Sequence, residues 1–493
     1  MQWLRLVPRI QTVLRLSRSP YPLVAAIALC LAACSAGHAE PILLERFENL
    51  RASDDLEGMV KRRFVRALVV YSKTFYFVDR GRERGLIAEG MQLFERHLNR
   101  SLHIASPQDY VHVVAVPVSR DQLVPWLLEG RGDIAMVNLT ITPQRLEQVD
   151  FSEPFYANAS EILVTGPDVA APASLDDLSG QDVFVRKSSS YYESLVRFNR
   201  SLQGRLQPVT LHFVDDRLED EDLLELLNAG VIPRIVMDDY KGRFWAKIFP
   251  RIHLCSHIAF NREGRIAWAL RKDSPRFKAV VDTFVAHHKF GSALYNDAYR
   301  RYFKSTRWVK NPVSERERRR FLATVELFKK YGEEYGFDPL LLAAQAYQES
   351  GLDQRKLSSS GALGVMQLMP ETGRLMKVGD IRRLEPNIHA GIKYLRELAD
   401  RHFPDAGLDV FNRTLFAFAA YNAGPTRIAS LRREAQENGL NPNSWFNNVE
   451  RIAARRIGRE TVVYVANIYK YYVSYSLLER QLRTREQVRG ATP

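Results

Sequence analysis

Cysteine is scarce in this chain of 493 residues, which has only Cys30, Cys34 and Cys255. A disulfide framework is therefore excluded, and stability has to come from hydrophobic cores. Glycine (27) and proline (23) are infrequent, which excludes collagen-like and wholly disordered chains. Neither sign of charge dominates: 70 Lys plus Arg face 57 Asp plus Glu, a net +13. So small an excess defines no polyanion binder, and no nucleic-acid partner is expected. It does permit attraction to anionic polymers or membrane surfaces. The remainder is ordinary for globular domains, 46% apolar and 26% charged. The length exceeds what one core serves and implies two or three domains.

Acidic residues are missing from residues 1–22, which carry Arg5, Arg9, Arg15 and Arg18. The apolar run at 23–33 has eleven residues. That is too few to cross a bilayer core, which takes about 20. A basic start, a short apolar core and small residues at its end make an export signal. Leu31-Ala32-Ala33-Cys34 resembles the lipobox of bacterial lipoproteins. The resemblance implies a signal peptide of residues 1–33 and a lipid on Cys34. Because Ser35 rather than Asp follows, it also implies anchorage to the outer membrane on the periplasmic face. The alternative is an ordinary signal peptide cut near Ala39. With Cys34 acylated, Cys255 has no intrachain partner.

After a lead-in at 34–65, residues 66–303 alternate short β-rich runs (67–71, 112–116, 133–137, 182–185, 234–237) with helical ones (85–98, 122–128, 222–228). Strand–helix–strand alternation predicts a parallel sheet with helices on its faces. A polar stretch at 304–313, with Pro312, reads as a linker. Ser314 followed by Glu317 reads as a capping box opening a helix. From 314 to 483 the periodicity is helical, and 484–493 reads as a frayed tail. The fold class expected is multidomain, α/β followed by all-α.

In the helical body, Asp338 and Pro339 start a helix whose buried face is Leu341, Ala344 and Tyr347. It ends at Glu349-Ser350-Gly351. A carboxyl in the last turn of an apolar helix opposes the helix dipole, and desolvation adds to that. Both favour the protonated form that a proton donor to a glycosidic oxygen needs. Taken alone, a solvated Glu at a helix end is the simpler reading. Its neighbours change this. The blocks are Gln348-Glu349-Ser350-Gly351, Gly361-Ala362-Leu363-Gly364-Val365-Met366-Gln367-Leu368-Met369-Pro370, Ala420-Tyr421-Asn422-Ala423-Gly424-Pro425 and Glu460-Thr461-Val462-Val463-Tyr464-Val465. In that order, with a weaker block at Pro386-Asn387-Ile388, they resemble the lysozyme-like soluble-lytic-transglycosylase family.

That resemblance implies an all-α lysozyme-like domain acting on peptidoglycan glycan strands, with no cofactor. Glu349 would be the sole catalytic carboxyl, acid first and base second. Ser358 and Gln367 would hydrogen-bond the sugar, and Met369 would line the cleft. Tyr421 and Asn422 would lie near Glu349, and Glu460 and Tyr464 on a late helix would support them. Asp353, the nearest second carboxylate, reads as a loop residue. The run Tyr469-Lys470-Tyr471-Tyr472-Val473-Ser474-Tyr475 reads as packing rather than a sugar platform.

In the first body, Gly132 to Arg145 (GDIAMVNLTITPQR), continued by Val149-Asp150-Phe151-Ser152-Glu153-Pro154-Phe155-Tyr156, resembles the family 3 solute-binding proteins of amino-acid importers. This implies a two-lobed periplasmic-binding-protein-like domain with hinge strands near 161–166 and 254–260. It also implies that Arg145 clamps a ligand carboxylate and Asp238 its ammonium, with Thr140 and Ser188 to Ser190 as auxiliary donors. A lobe pair kept as a scaffold is the alternative. Val137 and Asn138 depart from the small hydroxyl residues usual there. Beside a peptidoglycan enzyme, a muropeptide suits the cleft better than an amino acid. His253, Cys255 and His257 alternate as strand neighbours could around a soft metal, but a packed strand is the favoured reading and no metal site is expected. Lipobox, binding module and transglycosylase domain together resemble the membrane-bound lytic murein transglycosylase F family.

Overall fold

The structure, a computed structural model, describes residues 50–79, 82–288, 292, 301–302 and 312–490. The export signal, Cys34 and nearly all of the linker expected at 304–313 lie outside the described residues.

The first lobe opens with α1 (Leu56–Arg62) and β1 (Phe64–Val69), every residue of which is buried. β2 (Phe77–Asp79) and β3 (Arg82–Arg84) form a separate antiparallel hairpin. α2 (Leu86–Ser101) buries Leu86, Ile87, Met91, Phe94 and Leu98. Such a helical-period stripe is stable only when covered, and each large side chain so buried contributes about 1.5–3 kcal/mol. β4 (His112–Pro117), α3 (Leu123–Leu128), β5 (Ile134–Thr140), α4 (Pro143–Gln148) and β6 (Asp150–Phe151) follow. β7 (Tyr156–Thr165) crosses to the second lobe. That lobe holds β8 (Asp182–Arg186), α5 (Ser190–Leu202), β9 (Thr210–Val214), α6 (Asp220–Asn228), β10 (Arg234–Asp238) and α7 (Asp239–Trp245). β11 (His253–Leu270) returns, and α8 (Pro275–His288) packs on the first-lobe core.

Among the described residues, nine strands share one sheet in the order β4-β1-β5-β11-β7-β10-β8-β9, with β6 on β11. The sheet is not all parallel, as alternation alone suggested. Within the lobes β1–β4, β1–β5, β8–β9 and β8–β10 are parallel, whereas β7 and β11 run antiparallel to each other and to β10 and β5. The reason is connectivity: these two strands are the crossings between lobes. β11 pairs β5 through Ile266 to Leu270 and β7 through His253 to Cys255. Its register on β7 shifts repeatedly between Cys255 and Ile266, as happens where a strand bends. Of the expected hinge segments, 254–260 lies on β11 and 161–165 of the other on β7.

In the helical body Ser314 caps α9 (Glu315–Tyr335), accepting from the Glu317 amide at 3.5 Å. Glu317 turns its carboxylate to Arg316 and Arg320 instead of closing a capping box, since charge-assisted pairs are the stronger bonds. α10 (Pro339–Ser350), α11 (Pro370–Met376), α12 (Leu384–His402), α13 (Val410–Ala423), α14 (Pro425–Glu437), α15 (Glu450–Arg456) and α16 (Arg459–Gly490) complete it. α16 runs past the boundary expected at 483. α10 is sandwiched between α9 and α16, and Tyr347 meets Tyr471 and Tyr475 edge-on at 4.8 and 6.3 Å. α16 also touches both lobes. Lys470 Nζ bonds Tyr71 O at 3.3 Å and Asp222 at 3.0 Å, and the Tyr469 hydroxyl donates to Asp215 at 2.8 Å. Among the described residues no helix is long and apolar enough to cross a membrane.

Candidate active site

Sequence dictates where Glu349 sits. Asp338 accepts the Leu340 amide at 2.8 Å, Pro339 occupies the first turn, and residues 340–347 are buried on every side. Gly351, at φ 69°, takes the left-handed conformation that stops the helix. Glu349 is thus in the last turn, half-buried. The Tyr464 hydroxyl on α16 donates to its Oε1 at 2.5 Å, and Gln345 Nε2 donates to the same phenol at 3.4 Å. Burial first, and then the charge of Glu349, push the Tyr464 phenol well above its ordinary range. It therefore stays a protonated donor.

Tyr421 is similarly displaced by burial and by Glu349, but its hydroxyl donates to Met366 O at 2.6 Å. It ties α13 to the loop between α10 and α11. Ser350 donates to Val365 O at 2.8 Å on the same loop. Buried Asn387 holds it from below, accepting from Met366 N at 2.8 Å and donating to Leu363 O at 3.0 Å and Ile381 O at 2.9 Å. Gly364, at φ 76°, is obligatory here: a Cβ would lie 2.5 Å from Asn387 Nδ2.

Two residues expected on the sugar build this loop. Ser358 Oγ accepts the Ala362 amide at 2.8 Å and meets Ser360 Oγ at 2.9 Å. Gln367 Nε2 donates to Gly364 O at 2.9 Å and Lys356 O at 3.2 Å. Met369 is 44% exposed. Asn422 accepts from Thr461 Oγ1 at 2.8 Å. Asp353 pairs with Arg320 at 2.8 Å, and the Arg355 amide, then Arg320, hold its carboxyl below the ordinary range.

A cleft of about 750 Å³ opens at Glu349, within the range that takes small-molecule ligands. Gln348, Glu349, Asn422, Glu460, Tyr464 and Tyr471 supply its helical-body wall. Ser358, Gln367, Met369 and Tyr421 are not on it. The remaining wall comes from the first body, including Lys73, Phe77, Asp79, Arg84 and Tyr302. Sequence reasoning missed that wall, and no motif marks it.

In the first body, the expected ligand residues do meet at one cleft between the lobes, but they are engaged with one another. Arg145 donates to Thr140 O and to Ser188 O, each at 2.9 Å, with Glu193 at 3.7 Å. Ser188 Oγ donates to Asp216 at 2.5 Å, Ser190 Oγ to Thr140 Oγ1 at 3.1 Å, and Asp238 pairs with Lys241 at 2.9 Å. Arg120 clasps Glu219 across the lobes at 2.7 and 2.6 Å. About 30 Å³ remains among them, room for a water molecule. Cys255 is buried whereas His253 and His257 are exposed, and the His257 ring bonds Pro172 O at 2.9 Å.

Compared with known proteins, residues 326–443 match the Transglycosylase SLT domain, and 70–305 match the bacterial extracellular solute-binding proteins, family 3. The chain is a family 3 solute-binding module joined to a transglycosylase SLT domain. Over most of its length this fusion is similar to proteins named membrane-bound lytic murein transglycosylase F. That of Desulfosudis oleivorans is 27% identical, covering 80% of this chain and 86% of the relative. Those of Pseudomonas putida (26%; 85% and 86%) and Idiomarina loihiensis (25%; 87% and 94%) are alike. Among solved structures, an ancestral arginine-binding protein bound to arginine aligns with 49% of this chain and 98% of its own, at 20% identity and TM-score 0.39. With its SLT domain the fusion is a lytic transglycosylase.

Proposed function

We propose that the protein cleaves the β-1,4 bond between N-acetylmuramic acid and N-acetylglucosamine in peptidoglycan without water, leaving 1,6-anhydromuramoyl ends. One observation carries this reading: Glu349, at the end of a buried helix and on the wall of the large cleft, receives the Tyr464 hydroxyl at 2.5 Å. Protonated Glu349 gives its proton to the glycosidic oxygen as the C1–O bond breaks. The muramoyl N-acetyl oxygen supports C1 from the substrate side. Ionised Glu349, accepting from Tyr464, then takes the proton of the C6 hydroxyl as that oxygen bonds C1. The proton count closes and one carboxyl serves twice. The nucleophile is already tethered, with the large effective molarity of an intramolecular reaction. Asn422, Glu460 and Tyr464, on the cleft wall, are assigned to holding the strand and Glu349, while Ser358, Gln367 and Tyr421 shape the loop beside it, which Met369 ends.

A hydrolytic reading has one observation in its favour, since Glu460 lines the same cleft and hydrolases use a second carboxylate. The other cleft acids are engaged: Asp79 with Arg84, and Asp222 with Lys73 and Lys470. Mass spectrometry of digests of purified sacculi separates the two. Anhydro ends support transglycosylation, and reducing muramic ends alone would replace it with hydrolysis.

Relatives named membrane-bound and the lipobox support an acylated Cys34 holding the enzyme at the outer membrane, facing the periplasm. The first body is assigned a regulatory role. A muropeptide parting its lobes would displace Lys241 from Asp238, and α16, bonded to both lobes, would feel the change. Equal turnover with and without saturating peptide would remove that role.

A further inference from the structure

The first-body wall of the cleft carries features its own fold does not require. Hairpin β2–β3 stands apart from the nine-stranded sheet, and Phe77 and Tyr302 belong to none of the buried clusters of the described residues. Both nevertheless line the cleft that contains Glu349. Their rings meet edge-on, centroids 6.0 Å apart and planes at 86°. The Tyr302 hydroxyl is fixed on Glu89 at 2.7 Å. Beside them Asp79 and Arg84 pair at 3.1 Å, each about half open to solvent. The hairpin is fastened to the helical body where that wall begins. Arg459, the residue before Glu460, reaches Tyr76, Glu83 and, at 2.6 Å, Ala115 O.

Half-covered aromatic rings at a wet cleft, flanked by a donor–acceptor pair, suit a ligand with an apolar C–H face and a hydroxyl rim. A pyranose ring has that chemistry, and ligand sites typically combine aromatic lining with a few placed polar groups. The geometry points to a saccharide subsite formed by Phe77, Tyr302 and the Asp79–Arg84 pair, through which the first body grips a sugar of the glycan strand next to the one cleaved. The subsite rests on the reading of this cleft as the glycan site, and it makes the first body part of substrate binding.

The test is Phe77→Ala in the full chain, with Tyr302→Leu as a second variant and circular dichroism to verify folding. In a Glu349→Gln background, co-sedimentation with purified sacculi is expected to weaken about five- to tenfold, the size of one lost aromatic contact. In the active enzyme, KM on solubilised glycan strands rises by the same factor, with kcat within about twofold, and Phe77→Trp restores binding. Unchanged binding and KM in both folded variants would overturn the subsite, as would a rise in turnover, which would make the hairpin an obstruction. If the wild type releases no anhydro ends yet Phe77→Ala still loses binding, the reaction assigned to the cleft falls and the subsite stands. If anhydro ends appear and the variants behave as wild type, only the subsite falls.

Discussion

The Tyr464 hydroxyl donates to Glu349 Oε1 across 2.5 Å, and Gln345, one turn before Glu349 on α10, donates to that phenol at 3.4 Å. Residues 119 positions apart therefore hold the carboxyl in one orientation. The geometry answers a problem that α10 creates for itself, because a negative charge at a helix C-terminus is disfavoured. A buried donor that never ionises offsets that penalty when the carboxyl is charged.

Glu349→Gln keeps the shape and the Tyr464 contact but removes the proton. Turnover of sacculi is expected to fall by about 10²–10⁴ or more, the usual worth of a general acid–base group. The melting temperature should stay close to wild type, because an amide oxygen can still accept from Tyr464. Measuring both on one preparation checks the assignment, and retained turnover would end it.

Tyr464→Phe removes one hydrogen bond to a group that is charged for part of the cycle. Bonds to charged groups are worth about 1.5–3 kcal/mol, so kcat should drop roughly 10- to 100-fold with KM nearly constant. Steady-state kinetics on solubilised strands give both numbers. Were KM to carry the loss instead, the phenol would be a substrate contact and not a support for Glu349.

Asn387 received no role from the sequence beyond belonging to a weak block, yet it is fully buried and bonds three backbone groups of the catalytic loop and its neighbour. Asn387→Ala strands the buried Met366 amide and takes one donor each from Leu363 O, which keeps the Leu368 amide, and Ile381 O, which keeps Gln354. A loss of about 2–4 kcal/mol in unfolding stability is expected, with activity lost because Tyr421 is anchored on Met366 O. Denaturant melts and activity at low temperature test the two halves separately.

What the sequence made legible was local. Caps at Asp338 and Gly351 mark α10, period 3.6 marks α2, and the motif blocks mark Glu349, Tyr421 and Tyr464. Side-chain period says which face is buried but not against what. Thus the antiparallel run of β7 and β11 was hidden, because alternation does not report which strands are crossings. The engagement of Ser358 and Gln367 within their own loop was hidden as well. Least visible was the wall around Phe77, which depends on Arg459 meeting Tyr76, 383 positions away. No local pattern encodes such a contact.

The contact between the bodies should be sensitive to pH. Lys73 Nζ lies 2.5 Å from Glu225 and 3.0 Å from Asp222, Lys470 Nζ lies 3.0 Å from Asp222, and Glu221 accepts the Lys73 amide at 2.6 Å. Three buried carboxyls thus face two ammonium groups, with Tyr347 and Tyr471 as further titratable neighbours. Burial is the largest influence on Glu225. The attraction of Lys73 opposes it, the charges of Asp222 and Glu221 add to it, and the carboxyl is pushed up to about 8 from its ordinary 4.5. Glu221 is raised too, by burial and then by Asp222. Between those limits the folded protein keeps a proton that the unfolded chain releases. Stability should therefore fall as pH rises from about 4.5 to 8, by at most about 1.4 kcal/mol per pH unit for each such proton, and level off outside that window. Glu225→Gln, which cannot ionise, should flatten the slope and exceed wild type in stability at pH 8. Denaturant unfolding at about pH 5, 6.5 and 8, which span that window, measures this. A wild-type stability that climbs through that range would mean that Glu225 is ionised throughout and that Lys73 outweighs its burial.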